Sequence, residues 1–447
     1  TVLALVVKNY MEYDYVVGNP PYVRIQNLPD GQKAMMDTLY DATTGNYDIY
    51  CPFYERGLDW LAEDTGKLGF ITPNQFMVTD YGEGLRRVLV EDSRIEEVYD
   101  FRDSGVFEDA TNYPAIVILE YEPDRAARED NEIRCVRVKA NTDGEDDRRL
   151  DEKIVTSVRE NRGSPGYSDE FIDVFDYPQS KLSGDGYWAL MPPEELQVFE
   201  KLERQANHDV HEVTEDVSHG TQTSANTVYV VDVLDAERVE SGNSGGTVTI
   251  VPSGSSQEYE IETDLLRPWL QGRDVQRWRA EWSGQHVVLP YQIEHVDDGI
   301  ASSLISRNTL IEDYPLAWSF FNSHEKKLRG REGGRWENSD EWWEFGRPQN
   351  LEKFEIPKII FAHISEAATF MLDEVGTWYY KTAYSVLLSE EYRDLTDEMA
   401  SQLNSKALDF YFKHITTVKM GGYYEYRSQY VEKLPCLTED TADVFGS

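Results

Sequence analysis

Apolar residues follow two spacings along the first 125 positions. Short runs at Val16–Gly18, Leu68–Ile71, Ile95–Asp100 and Ala115–Tyr121 have the length and β-branched content of strands. Between them, the stretches near Asp48–Glu63 and Tyr81–Glu91 space their apolar positions as helices do. Strands alternating with helices predict an α/β sheet, and the uniformly apolar run before Asn19 predicts a strand buried on both faces. The pattern then lapses. Residues 122–185 are rich in charge and in Gly, Pro and Ser, as in Asn141-Thr142-Asp143-Gly144-Glu145-Asp146-Asp147, and predict solvated loops. From Tyr187 onward the texture changes again. Pro192-Pro193-Glu194-Glu195 opens a helix through Leu202, with carboxylates where the positive end of the helix dipole favours them. The expected organisation is α/β in residues 1–125, a connector in 126–185, and a mixed α+β domain in 186–440.

The most specific chemistry lies at Asn19-Pro20-Pro21-Tyr22, directly after the first predicted strand. Two prolines fix two φ angles and remove two N–H donors, and Asn19, preceding a proline, is pushed to extended backbone. The loop is therefore stiff, and the Asn19 side-chain oxygen and the Pro20 carbonyl are both acceptors. Two fixed acceptors suit an aromatic exocyclic amine. By holding its protons they favour a pyramidal nitrogen and direct its lone pair outward. Tyr22 adds a ring face for stacking on a base extruded from its helix. Asn-Pro and Pro-Pro also occur in ordinary loops, so the strand before the motif is what gives it weight.

More of one family's pattern follows in order. Tyr47-Asp48-Ile49-Tyr50-Cys51-Pro52-Phe53-Tyr54-Glu55-Arg56 precedes Gly66-Lys67-Leu68-Gly69-Phe70-Ile71-Thr72-Pro73-Asn74-Gln75-Phe76, and then comes Gly105-Val106-Phe107-Glu108-Asp109-Ala110-Thr111. In the second half stand Gly220-Thr221-Gln222-Thr223-Ser224-Ala225-Asn226 and Leu265-Leu266-Arg267-Pro268-Trp269-Leu270-Gln271-Gly272-Arg273-Asp274-Val275. Gly421-Gly422-Tyr423-Tyr424-Glu425-Tyr426-Arg427 follows before Leu434-Pro435. Across nearly its whole length the chain resembles the TaqI-like, type IIG N6-adenine DNA methyltransferases. The resemblance implies a partial Rossmann-like class I methyltransferase sheet followed by a target-recognition domain. It also implies double-stranded DNA as partner and methyl transfer from S-adenosylmethionine to a flipped adenine, within a restriction–modification or phage-defence system.

The resemblance gives the residues roles. Asn19, Pro20, Pro21 and Tyr22 form the catalytic loop, and Tyr22 and Phe107 sandwich the base. Asp48 and Phe53 line the cofactor pocket, although a core position suits Phe53 equally. Arg267, Arg273 and Arg427 are candidate DNA contacts; for Arg273 a structural ion pair with Asp274 is as well supported. Ser224 replaces a glycine of the family pattern. The family's glycine-rich cofactor turn should precede the Asn-Pro-Pro-Tyr loop, yet Gly18 is the only glycine before Asn19. The expectation is a chain that begins after that turn, leaving a missing N-terminal segment and, for any cleavage, a nuclease subunit as possible partners. A non-catalytic DNA-binding specificity subunit is the alternative reading. A methyltransferase acting on amines of protein or RNA is another.

Composition then adjusts the picture. The chain has 83 acidic and 43 basic residues, a net charge of −40, whereas DNA-binding proteins usually carry basic surfaces. With 40% hydrophobic and 12% aromatic residues, a packed core is expected rather than disorder. A halophile's carboxylate surface fits, since repulsion is screened within about 3 Å at 1 M salt. Against that background Lys326, Lys327, Arg329, Arg331 and Arg335, followed by Trp336, Trp342, Trp343 and Phe345, predict a nucleic-acid contact. The three cysteines, Cys51, Cys135 and Cys436, show no metal spacing, and no metal is expected. No run approaches a membrane span, and the expected location is the reducing cytoplasm.

Overall fold

A computed structural model of the chain describes residues 12–62, 65–102, 113–139, 152–234, 245–296, 299–419 and 421–437. The chain divides into two compact units, Thr1–Gln205 with Phe410–Glu425, and Ala206–Asp409 with Tyr426–Ser447. Among the described residues, no helix is long and apolar enough to cross a membrane.

The first unit is built on a six-stranded mixed sheet. Its strands are β1 (Tyr15–Gly18), β2 (Lys67–Pro73), β3 (Ser93–Asp100), β4 (Pro114–Tyr121), β5 (Glu132–Val138) and β6 (Ile172–Pro178), in the order β1-β2-β4-β3-β5-β6. β1 runs parallel to β2, with Gly18 opposite Phe70. β3 runs parallel to β5, and β4 is antiparallel to both β2 and β3. Helices α1 (Asp30–Leu39), α2 (Tyr50–Leu58) and α3 (Glu83–Asp92) fill the connections up to β3. α2 lies close on the sheet because Gly57 has no side chain: a Cβ there would come 2.2 Å from Leu68 Cδ1.

Two expectations are corrected here. β1 is not buried on both faces. It is the edge of the sheet among the described residues, and Tyr15 and Val17 are 73% and 81% exposed. An apolar run marks a surface that something apolar covers, not which strand covers it. Residues 122–185 are not merely a connector, because β5 and β6 extend the same sheet. Their charges sit opposite one another across the strand pair: Arg134 faces Asp176 and Arg137 faces Asp173, with N–O distances of 2.6 and 3.2 Å. Ile133, Cys135, Val136 and Val138 are buried. Charge that looked like solvation is cross-strand pairing.

The boundary at 186 moves as well, because the helix Pro193–Gln205 belongs to the first unit. Glu195 in its first turn receives two hydrogen bonds from Arg137, at 2.8 and 2.9 Å, and one from His414 Nε2 at 3.2 Å. Burial would raise the Glu195 pKa, but these donors outweigh it and hold the carboxyl well below the usual range. A depressed folded-state pKa contributes stability above the unfolded value, near 4.5, that is lost as pH falls through the folded value. Glu195→Gln is therefore expected to lower Tm at pH 7 and to lose that difference in acid. Parallel melts of the two proteins from neutral to strongly acidic pH check this, and a gap independent of pH contradicts it.

The second unit holds a six-stranded sheet ordered Tyr259–Glu262, Thr247–Pro252, Val230–Val233, Gln285–Val288, Leu266–Leu270 and Tyr379–Tyr380. A four-stranded sheet is ordered Phe370–Asp373, Lys358–Ala362, Ala383–Leu388 and Thr214–His219. The helix Pro315–Arg329 packs Ala317, Phe320, Phe321 and Leu328 into one large core with Trp269, Trp336, Trp342, Trp343 and Phe345.

Candidate functional site

Strands β1, β2, β3 and β5 run in one direction, so the loops after their C-terminal ends share an edge of the sheet. The Asn19–Tyr22 loop leaves β1 there. Gly18 sets its approach, since a Cβ at that position would come 3.1 Å from the Phe70 ring. Pro20 is buried and anchors the loop, while Asn19 is exposed. Its side chain hydrogen-bonds to no described residue. Tyr22 is half-buried, donates its hydroxyl to the Ile71 carbonyl at 3.0 Å, and meets the Tyr50 ring edge-on at 6.4 Å. Burial raises its pKa, so the hydroxyl remains a donor. The ring is thus held at both ends.

The chain after the loop is stitched to the segment before α2. Ile25 N donates to Tyr47 O at 3.0 Å and Ile49 N to Val23 O at 2.9 Å. This brings Asp48 beside the loop. Tyr81 donates to the Asp48 carboxylate at 3.5 Å and shares a hydrogen bond of 3.1 Å with the buried Tyr50 hydroxyl. Burial pushes the Asp48 pKa up, opposed by Arg24 and the Tyr81 bond. Phe53 is 42% exposed on the first turn of α2, which removes the core alternative for that ring. Phe107 lies outside the described residues.

The same edge carries groups that sequence reasoning did not single out. Asn74, after β2, donates to Asp100 Oδ1 at the end of β3, at 2.9 Å. Next to it Arg102 has a positive φ of 46°, and its buried Nε makes no hydrogen bond among the described residues. Arg102, Arg137, Lys139, Lys413 and His414 line a pocket of ≈320 Å³. No local motif joins these positions; the sheet does.

In the second unit the predicted basic residues separate by role. Arg331 is buried, donates to the carbonyls of Trp342 and Glu344, and lies 4.0 Å from the Trp336 ring centroid. Arg329 bonds Glu325 and the carbonyls of Trp336, Glu337 and Ser339. Trp336, Trp342, Trp343 and Phe345 are all core. The expected contact surface is therefore corrected for Arg331 and the four aromatic residues, which are interior, while Arg335 stays exposed. Guanidinium groups satisfy clustered carbonyls well, and a charge run cannot reveal that it points inward. Arg267 is likewise spent on Glu355 at 2.9 Å and on the Asp264 and Leu266 carbonyls. Lys326, Lys327, Arg273 and Arg427 remain exposed. Ser224 adopts φ 54°, the left-handed conformation that a glycine would take, and donates to Glu332, so the turn survives the replacement.

Residues 4–107 match the Eco57I restriction-modification methylase family and residues 267–436 match the TaqI-like C-terminal specificity domain. The type II methyltransferase M.BstVI of Geobacillus stearothermophilus is 23% identical over 432 residues, covering 95% of this chain and 67% of that protein. M.XhoI of Xanthomonas vasicola is 24% identical over 428 residues, covering 94% and 68%. The chain thus joins a segment of the Eco57I restriction-modification methylase family to a TaqI-like specificity domain, as type II restriction–modification methyltransferases of similar sequence do. Its fold is shared with the type IIL restriction–modification enzyme MmeI, solved in complex with DNA. That likeness has a TM-score of 0.52 at 10% identity and covers 94% of this chain and 46% of that one. The chain spans about two thirds of those two relatives and about half of that structure. Its methylase match holds Asn19–Tyr22 and Asp48, and its specificity match holds Arg267, Arg273 and Arg427.

Proposed function

We propose that this chain carries the amine-activating loop and the target-recognition domain of a site-specific DNA adenine-N6 methyltransferase serving a restriction–modification or phage-defence system. The observation that carries the reading is the Asn19 side chain, exposed on a rigid loop beside a ring fixed at both ends. Asn19 Oδ1 and the Pro20 carbonyl would accept the two protons of the adenine amine and hold its nitrogen pyramidal. Tyr22 would stack on one face of the base and Phe107 on the other. The amine proton would leave to water after transfer.

S-adenosylmethionine supplies an electrophilic methyl group on a sulfonium centre. The residues here fit part of it: Asp48 offers a carboxylate and Phe53 an exposed ring beside the loop, while no glycine-rich turn lies among the described residues before Asn19. Those two side chains would hold the cofactor's polar and aromatic parts, and the raised Asp48 pKa reflects burial that would strengthen any such contact.

Tritiated S-adenosylmethionine offered together with duplex DNA, RNA and protein substrates tests the proposal. Label in duplex DNA, recovered as N6-methyladenine, is expected. Label only in RNA or protein, or duplex binding without transfer, overturns it.

A further inference from the structure

The short strands Val275–Gln276 and Arg279–Ala280 form a hairpin, pairing Val275 with Ala280 and Gln276 with Arg279. Its loop is two residues, Arg277 and Trp278. Trp278 sits at φ 73°, in the left-handed region where such loops normally place Gly or Asn. It is also the one exposed tryptophan of the chain's ten, all of which are described. A large apolar side chain is thus held in an unfavourable conformation and in water, at 51% exposure.

The surroundings enforce this. Trp278 N donates to the Phe370 carbonyl at 3.0 Å, and Arg277 Nη2 donates to the Asn404 carbonyl at 2.7 Å. The Arg277 guanidinium lies 5.6 Å from the Trp278 ring centroid. The side chains of Arg273 and Arg279 are 75% and 70% exposed. Of the nearby carboxylates, Glu281 pairs with Arg279. Asp274 is buried and accepts from the Gln271 backbone N–H at 2.8 Å, while its other oxygen lies 3.9 Å from Arg273 Nε, a long ion pair that leaves the Arg273 side chain exposed. Arg273, Arg277 and Arg279, three arginines within seven residues of which Arg277 lies at the ring, contrast with a chain of net charge −40. Strain kept by overdetermined packing points to use, and an exposed ring beside a guanidinium, with further arginines on the same short segment, is the chemistry that takes a base face and its flanking phosphates.

We propose that the Arg277-Trp278-Arg279 tip is a DNA contact of the specificity domain, in which Trp278 stacks on an unstacked base and Arg273 and Arg279 meet the neighbouring phosphates. The inference rests on the DNA reading above.

Binding of a fluorescein-labelled, mixed-sequence DNA duplex, followed by anisotropy over a KCl series, tests it. Trp278→Gly relieves the backbone, so Tm should hold or rise while affinity falls roughly ten- to a hundredfold with an unchanged salt slope. Trp278→Phe, which keeps a ring, should recover most of the affinity. Arg273→Gln with Arg279→Gln should flatten the dependence of log K on log salt by about 0.9 for each phosphate that is no longer neutralised. Wild-type binding matched by Trp278→Gly overturns the inference and leaves the DNA reading standing. A fall in affinity that Phe does not recover, with a lowered Tm, assigns Trp278 a structural role and also overturns it. Failure of the wild-type chain to bind duplex at any salt removes the DNA reading and this inference together.

Discussion

Asn19→Ala is expected to reduce methyl transfer by roughly a hundredfold or more while leaving duplex binding and Tm unchanged. The Asn19 side chain is exposed, and no described residue hydrogen-bonds to it, so its removal breaks no described hydrogen bond. Its task would arise only with substrate bound. An adenine amine keeps its lone pair in the ring unless acceptors hold its protons, and the Pro20 carbonyl alone can take one of the two. Asn19→Asp keeps an oxygen in place but adds charge, and should retain more activity than alanine. Single-turnover rates at saturating duplex separate transfer from binding. Near-normal turnover of the alanine variant sinks the catalytic role of the loop. Equal reduction of binding and turnover makes Asn19 a DNA-binding residue instead.

Lys358→Met should destabilise the second unit by about 3–5 kcal/mol. Lys358 and Asp373 face each other on paired strands with Nζ and Oδ2 2.6 Å apart, and their side chains are 1% and 2% exposed. Burial lowers the Lys358 pKa, opposed by Asp373. Both groups are otherwise satisfied. Lys358 donates to the Phe354 and Ile356 carbonyls, and Asp373 accepts from the backbone of Thr377 and Trp378. Methionine fills much of the volume but leaves a carboxylate buried without its cation, which is the dominant cost. Adding Asp373→Asn removes that charge but keeps an acceptor for only one of the two backbone donors, which bond different oxygens, and should recover part of the stability. Denaturant unfolding of both variants measures this. A single-variant effect under about 1 kcal/mol shows the pair to be solvated and contradicts the burial argument.

Motifs that act within a few residues were readable without coordinates. The Asn-Pro-Pro-Tyr loop is stiff because of its own prolines, and the structure places it at the end of the predicted strand. The strands β2, β3 and β4 were marked by short apolar, β-branched runs. The turn at Ser224 was readable as a motif, but its survival was not. That depends on Glu332, 108 residues away, accepting the serine hydroxyl.

What depends on long-range pairing was not legible. Arg134 and Arg137 looked like loop charges because their partners lie on another strand. Arg329 and Arg331 looked like a contact surface because composition records charge and not direction. Arg331 is buried and Arg329 half-buried, and both donate to carbonyls that the fold gathers around them. Trp278 was one aromatic among many until the backbone showed a left-handed φ and an exposed ring. The sequence by itself determined the stiffness and place of the Asn-Pro-Pro-Tyr loop and the α/β character of the first unit, because local sterics and side-chain spacing are written in consecutive residues. Only the tertiary structure decided which charges face water, since a side chain's direction follows from the sheet and helix that carry it.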